Sequence, residues 1–191
     1  MAANPPNQSP KSNNNTLDSR GVYLFFEDFH PGSARALCQW ILEKNFNPGN
    51  LKHLTLVINS PGGSLQDAFA IIDIMNGSHL PVHTVGLGEV CSAGFATFIN
   101  GKKGHRILTP NTTIMSHQFS WGSRGKEHDL ISVQKEFVLV GDRMVDHYKK
   151  CTGLTEKVIR QKLLPESDVW LSASEALKLG VCDKIMKFDP K

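Results

Sequence analysis

The stretch Leu-Thr-Leu-Val-Ile-Asn-Ser-Pro-Gly-Gly, residues 54–63, decides the fold class of this 191-residue chain. Its first half, Leu54–Ile58, is apolar and β-branched and predicts a buried strand, whereas its second half is a strong turn signal. Apolar residues then recur at helical spacing over residues 68–75, and Val82–Gly86 predicts the next strand. Because parallel neighbouring strands need a crossover connection, this order predicts an α/β fold with a parallel sheet.

The alternation continues on both sides of this stretch. Val22–Phe26 predicts a buried strand, Ser33–Lys44 has the spacing of a helix, and Thr112–Met115 is strand-like. Glu127–Lys150 is the longest helical candidate, at about 36 Å if it is continuous. Such a helix either projects and packs against another subunit or is an ordinary core helix. Its apolar stripe consists of Leu130, Phe137, Val138, Gly141, Met144, Val145 and Tyr148.

The first twenty residues differ from the rest of the chain. They hold three of the ten prolines, a run of three asparagines and few apolar side chains. Such a segment cannot bury enough surface to offset the entropy lost on ordering. The sequence therefore predicts a mobile tail over residues 1–20 and one domain over residues 21–191.

Composition excludes several classes of function. A net charge of +3, scattered along the chain, does not favour a nucleic-acid partner. No run of 18 apolar residues and no basic-then-apolar leader is present, so neither a membrane span nor a secretory signal is expected. The four cysteines form no CxxC pair, which favours reduced thiols in a cytoplasm over a zinc site or a disulfide framework. We expect neither a metal nor a cofactor.

Two polar residues suggest a serine hydrolase. Ser92, within Gly-Glu-Val-Cys-Ser-Ala-Gly-Phe at 88–95, lies at a predicted strand-to-helix turn, and His117 follows a strand-like run. A serine hydroxyl is a poor nucleophile unless a base takes its proton. Ser92 and the Pro61–Gly63 turn both follow strand ends, where open α/β sheets bind ligands.

The partners of this pair are less certain from spacing alone. The amides of Gly63 and Ala93 suit an oxyanion hole, although a tight turn explains the glycines equally well. Asp168 lies at the edge of an apolar segment and could orient the histidine, but a capping role is the simpler interpretation.

Four motifs in one order resemble the proteolytic subunits of the ATP-dependent Clp protease, a ClpP-like serine peptidase family. The similarity runs from about Gly21 to Phe188. The motifs are Ile58-Asn59-Ser60-Pro61-Gly62-Gly63, Gly88-Glu89-Val90-Cys91-Ser92-Ala93-Gly94, Met115-Ser116-His117-Gln118, and Asp168-Val169-Trp170-Leu171-Ser172-Ala173-Ser174-Glu175-Ala176.

The resemblance implies a catalytic triad of Ser92, His117 and Asp168, with Gly63 and Ala93 as oxyanion donors. It implies a ClpP/crotonase-like spiral of β-β-α units with Glu127–Lys150 as the long handle helix. It further implies a cytoplasmic or organellar endopeptidase that degrades unfolded polypeptides inside a homo-oligomeric chamber. That chamber would consist of heptameric rings, paired as a tetradecamer in the family, and would work with an AAA+ unfoldase.

The chain also departs from the family pattern. Phe119 stands where the family usually has proline, which predicts a changed substrate-binding strand. Ser167 replaces the usual arginine before the triad acid, which predicts altered ring–ring ion pairing. The tail has no clear counterpart of the family's axial loops. These departures suggest an alternative function, a non-catalytic ring subunit that assembles with an active paralogue. A crotonase-like acyl-CoA enzyme and a Ser–Lys peptidase using Lys102 or Lys103 are further alternatives.

Overall fold

The computed structural model describes residues 15–187, which form a mixed α/β domain of seven strands and seven helices. The helices are α1 (Asn15–Ser19), α2 (Pro31–Phe46), α3 (Leu65–Gly77), α4 (Ala93–Ile99), α5 (Glu127–Thr152), α6 (Glu156–Lys162) and α7 (Ala173–Leu179). The strands are β1 (Val22–Phe25), β2 (Leu54–Ser60), β3 (Val82–Cys91), β4 (Arg106–Leu108), β5 (Thr113–Ser116), β6 (Val169–Ser172) and β7 (Lys184–Ile185).

The sheet branches at strand β3. Its first half pairs with β4 and its second half pairs with β5, so the sheet divides along this strand. The main path runs β1-β2-β3-β4-β7, and every pair along it is parallel, which confirms the predicted α/β class. The exception is β5–β6, an antiparallel pair that the sequence did not predict. This second branch carries the residues that face the end of β3.

The core lies between this sheet and helices α2 to α5. Its largest fully buried side chains include Phe25, Phe95, Phe98 and Tyr148. Burying each side chain of this kind stabilises the fold by roughly 1.5–3 kcal/mol. Across residues 15–187, no helix combines the length and the apolar character that crossing a membrane requires.

The ion pair between Arg106 and Asp183 is buried within this core. The Arg106 guanidinium, only 3% exposed, contacts the Asp183 carboxylate at 2.6 Å and also donates to the Cys151 carbonyl. It thereby ties β4 to the end of α5 and to the segment before β7. Burial raises the pKa of Asp183, but the hydrogen bonds and charge of Arg106 outweigh it and hold that pKa below its ordinary value.

Two predicted elements differ from the structure near the N-terminus. The strand expected to be buried over Val22–Phe26 is an edge strand that is buried on one face only: Phe25 is buried, whereas Leu24 and Phe26, which point to the opposite face, are about half exposed. Part of the predicted mobile tail is helix α1, whose Asp18 accepts hydrogen bonds from Trp40 Nε1 and Lys44 Nζ. Those two contacts stabilise helix α1 against helix α2. The prediction for residues 1–14 lies outside the described residues.

Helix α5 confirms the predicted long helix and extends it to Thr152, with Gly153 ending it in a left-handed conformation. The predicted apolar stripe is not uniformly buried. Its C-terminal half packs in the core through Met144, Val145 and Tyr148. Its N-terminal half is more open: Leu130, Phe137 and Val138 are each 43–51% exposed.

Candidate active site

Ser92 lies at a sharp turn between β3 and α4. Its φ of 51° is positive, and among the described residues no other non-glycine residue has a positive φ. Such a conformation costs on the order of 1–3 kcal/mol and persists only where the surroundings enforce it. Here the Ser92 N–H donates to the Met115 carbonyl at 2.8 Å, while the side chain makes no capping bond to α4. The hydroxyl is therefore left to face the neighbouring strand.

The register of β3 and β5 brings His117 to that hydroxyl. Cys91 pairs with Met115 in this parallel pair, so Ser92 directly follows one paired residue and His117 comes two residues after the other. His117 Nε2 lies 2.7 Å from Ser92 Oγ, within hydrogen-bonding distance. The two residues that the sequence singled out as nucleophile and base are in direct contact.

Asp168, the residue directly before β6, lies beside the same histidine. In the antiparallel pair Ser116 faces Val169, so the next register position places His117 opposite Asp168. The Asp168 Oδ1 atom is 3.7 Å from His117 Nδ1, which is too long for a hydrogen bond. The Asp168 side chain is 57% exposed, compared with 25% for His117. Asp168 therefore lies near Nδ1 of the imidazole, whereas Ser92 contacts Nε2, and the carboxylate is too far away for a hydrogen bond to the ring.

The glycine turn after β2 lies against Ser92. Gly62 and Gly63 have φ values of 106° and 135°, which side chains rarely allow. A Cβ on Gly62 would lie 2.8 Å from Ser92 Cβ, and a Cβ on Gly63 would collide with the Phe29 backbone. Only glycine fits at both positions, and this lets the turn approach the serine closely.

The backbone N–H groups of Gly63 and Ala93 take no part in the hydrogen bonds of the neighbouring bridge and helix. Gly63 forms a parallel bridge with Phe29, in which Phe29 bonds to the Gly62 carbonyl and the Ser64 N–H. The Gly63 N–H therefore points to the other side of this bridge, as parallel pairing requires. Ala93 is the first residue of α4, where a helix cannot satisfy the N–H internally. Ala93 directly follows Ser92, and the turn that contains Gly63 lies against Ser92 through Gly62.

Comparison with known proteins matches the Clp protease family model to residues 14–189. This chain belongs to the Clp protease family. It is 34% identical over 173 residues to the ATP-dependent Clp protease proteolytic subunit 1 of Chlamydia muridarum, covering 89% of this chain and 88% of that relative. It is 37% identical over 151 residues to the ATP-dependent Clp protease proteolytic subunit of Deinococcus radiodurans, covering 78% and 72% respectively. The resemblance found in the four motifs is confirmed.

A cleft of about 380 Å³ opens beside the serine–histidine pair of this Clp-family chain. Phe119 and Trp121 line one wall of the cleft, and with Phe137 of α5 they form an aromatic cluster that the sequence did not predict, with ring centroids 5.1–6.4 Å apart. Phe119 occupies the position where we noted proline in the family, and it anchors the segment after His117 to helix α5. The remaining lining comes mainly from Met115, Val140 and Met144 and from the glycine turn.

The structure excludes a lysine as the base that activates Ser92. The Lys102 N–H donates to the carbonyl of Val82, at the opposite end of β3 from Ser92. A ten-residue strand is about 30 Å long, so neither Lys102 nor its neighbour Lys103 can reach the serine. The Ser–Lys arrangement considered from the sequence is therefore wrong. Within residues 15–187, no group of His, Cys, Asp and Glu side chains is arranged to hold a metal ion.

Proposed function

We propose that this member of the Clp protease family is a serine endopeptidase whose nucleophile is Ser92. One observation carries the proposal: the 2.7 Å contact between Ser92 Oγ and His117 Nε2, beside the amides of Gly63 and Ala93. A serine, a base within hydrogen-bonding distance and two convergent amides are the parts that acyl transfer needs.

The chemistry follows from these positions. His117 Nε2 accepts the Ser92 proton as Oγ attacks the peptide carbonyl, and the carbonyl oxygen becomes an oxyanion bound by the Gly63 and Ala93 N–H groups. His117 then returns the proton to the leaving amine, which releases one product and leaves an ester on Ser92. A water molecule, deprotonated by His117, hydrolyses that ester and regenerates the serine.

Asp168 is the orienting acid in this proposal. A carboxylate near Nδ1 holds the imidazole in one tautomer and stabilises the imidazolium that forms during the reaction. The 3.7 Å separation in the free chain agrees with catalytic contacts that tighten only when substrate binds.

The substrates we propose are extended, unfolded polypeptides. The cleft runs alongside β5 and the segment after His117, and a peptide bound there could pair through its main chain. Main-chain pairing gives affinity with little dependence on sequence. The apolar wall of Phe119, Met115 and Met144 would favour an apolar side chain next to the cleaved bond.

Assembly into rings completes the proposal. Membership in the Clp protease family implies an oligomeric ring and an ATPase partner. The exposed apolar residues in the N-terminal half of α5 support its packing against another subunit. Heptameric rings, their pairing into a tetradecamer, an AAA+ unfoldase as the ATPase and a cytoplasmic location are the finer parts of the proposal.

Turnover of an unstructured fluorogenic peptide by the purified chain tests this function. We expect cleavage by the wild type, loss of at least about 10⁴-fold in Ser92→Ala, and little change in Ser120→Ala, which removes another hydroxyl from the cleft. No cleavage by the wild type would contradict the proposal and favour the alternative, a non-catalytic ring subunit that works only with an active paralogue.

A further inference from the structure

A buried serine holds the glycine turn in place. Ser60, the last residue of β2, is 0% exposed. Its Oγ–H donates to the Glu27 carbonyl at 2.7 Å, and its Oγ accepts from the Gly62 N–H at 3.1 Å. One hydroxyl thus joins the segment between β1 and α2 to the turn that carries Gly63.

The same two segments meet at a second point. The Phe29 N–H donates to the Gly62 carbonyl at 2.8 Å, and the Ser64 N–H donates to the Phe29 carbonyl at 2.8 Å. The Phe29 side chain is 2% exposed and packs on Phe25, with ring centroids 4.5 Å apart. Residues 27–29 therefore form a fixed support for the turn, and the Ser60 hydroxyl and the Phe29 backbone are its two attachments.

We propose that Ser60 is a positioning residue whose hydroxyl sets the direction of the Gly63 N–H. Two successive glycines have little conformational preference of their own, so the direction of their amides depends on what holds them. Without the hydroxyl, Gly62 keeps its carbonyl bond to Phe29 but loses its N–H partner, and the peptide units around it can rotate. A shift of the turn also reaches Ser92, because Gly62 lies directly against the serine Cβ.

This inference rests on the proposed role of the Gly63 N–H as an oxyanion donor. Misplacement of such a donor weakens binding of the transition state more than binding of the peptide itself. Ser60→Ala should therefore lower kcat by about 10- to 100-fold while KM changes less than about twofold. A peptide aldehyde, which forms a tetrahedral adduct with an oxyanion on the serine, should lose affinity by the same factor as kcat.

The matched control is Thr84→Val. Thr84 is also 0% exposed, and its hydroxyl donates to the Phe98 carbonyl at 2.8 Å, but it does not touch the glycine turn. Both variants lose a buried hydroxyl, so both should lose stability. Only Ser60→Ala should lose kcat and aldehyde affinity. If Ser60→Ala does not fold, Ser60→Cys, which keeps a weak hydrogen-bonding group, should fold and show an intermediate loss of kcat.

Hydrogen–deuterium exchange of the full chain separates this inference from the proposed function. Exchange over residues 60–66 should be at least about tenfold faster in Ser60→Ala, or in Ser60→Cys, than in the wild type and unchanged in Thr84→Val. Equal exchange, or wild-type kcat and aldehyde affinity in a folded Ser60 variant, would overturn the positioning role. Absence of turnover in the wild type would overturn the peptidase function, while the exchange comparison would still decide whether Ser60 holds the turn.

Discussion

His117 and Asp168 face each other across the antiparallel pair β5–β6, one register position beyond Ser116 and Val169. The Asp168 Oδ1 and His117 Nδ1 atoms are 3.7 Å apart, and the carboxylate is more than half exposed. In a serine peptidase with a buried, hydrogen-bonded acid, changing that acid to its amide lowers kcat by about 10⁴. A carboxylate that solvent screens should contribute less than a buried one.

We therefore expect Asp168→Asn to lower kcat/KM by roughly 10- to 100-fold, well short of the loss in Ser92→Ala. Steady-state peptide cleavage measures this effect. Glu166→Gln is the matched control, since it removes an exposed carboxylate two residues earlier in the chain. An Asp168→Asn enzyme with the wild-type rate would show that Asp168 does not orient the base.

Gly63→Ala tests the glycine turn. The added Cβ would collide with the Phe29 backbone and would require a positive φ of 135°. We expect kcat/KM to fall at least about 100-fold, with a loss of about 1–3 kcal/mol in the free energy of unfolding. Gly77→Ala is the control, because a Cβ there meets nothing within 4 Å and the residue lies in helix α3. Retention of activity in Gly63→Ala would remove this amide from the proposed oxyanion hole.

The buried Arg106–Asp183 pair should be the most costly ion pair to break. Arg106→Met leaves the Asp183 carboxylate without its partner in a largely buried position, so the free energy of unfolding should fall by about 3–5 kcal/mol. Arg160→Met is the control, because Arg160 and Glu156 are both at least half exposed and such pairs contribute about 0–1 kcal/mol. Chemical denaturation measures both, and equal small losses would show that the core does not depend on the Arg106 contacts.

Stability should fall in acid because of a stack of three histidines. The His83 ring is stacked between His53 and His105, at centroid distances of 4.1 and 3.9 Å. Burial, followed by the charges of His53, His105 and Lys102, lowers the pKa of His83 to about 4. The unfolded chain binds a proton at this residue near pH 6.5 whereas the folded chain does not. The contribution of neutral His83 is therefore complete above about pH 6.5 and is lost as the pH falls toward 4.

Thermal unfolding of the wild type and His83→Gln measures this effect. The drop in Tm between about pH 7.5 and pH 5 should be smaller in His83→Gln than in the wild type. His128→Gln serves as the control because His128 is exposed on helix α5. An identical pH dependence in all three proteins would contradict the assignment to His83.

The sequence predicted the parts of the site that depend on local pattern. The apolar run before Ser92 and the Pro-Gly-Gly turn mark strand ends, and strand ends of a parallel sheet meet at one edge. Asp168 could be assigned only through the family resemblance, because its position depends on the β5–β6 register, which no local pattern encodes. The contacts of Ser60 and Phe29 were missed for the same reason, since they join segments far apart in the chain.

Exposure was harder to predict than secondary structure. The spacing of Leu130, Phe137 and Val138 is that of a buried helical face, yet these residues are exposed in the single chain. Helical periodicity predicts an apolar face, but it does not indicate whether the residues that would cover this face belong to the same chain. The aromatic cluster around Phe119 was missed because two of its members lie in an irregular segment without periodicity.

Mass spectrometric mapping of a fluorophosphonate adduct tests the central claim most directly. Such probes phosphonylate only a serine whose proton is removed by a nearby base, so the wild type should carry one adduct, on the peptide containing Ser92. His117→Ala should abolish labelling, whereas Ser120→Ala should leave it unchanged. An adduct on another residue, or undiminished labelling of Ser92→Ala, would contradict the assignment of Ser92 as the nucleophile.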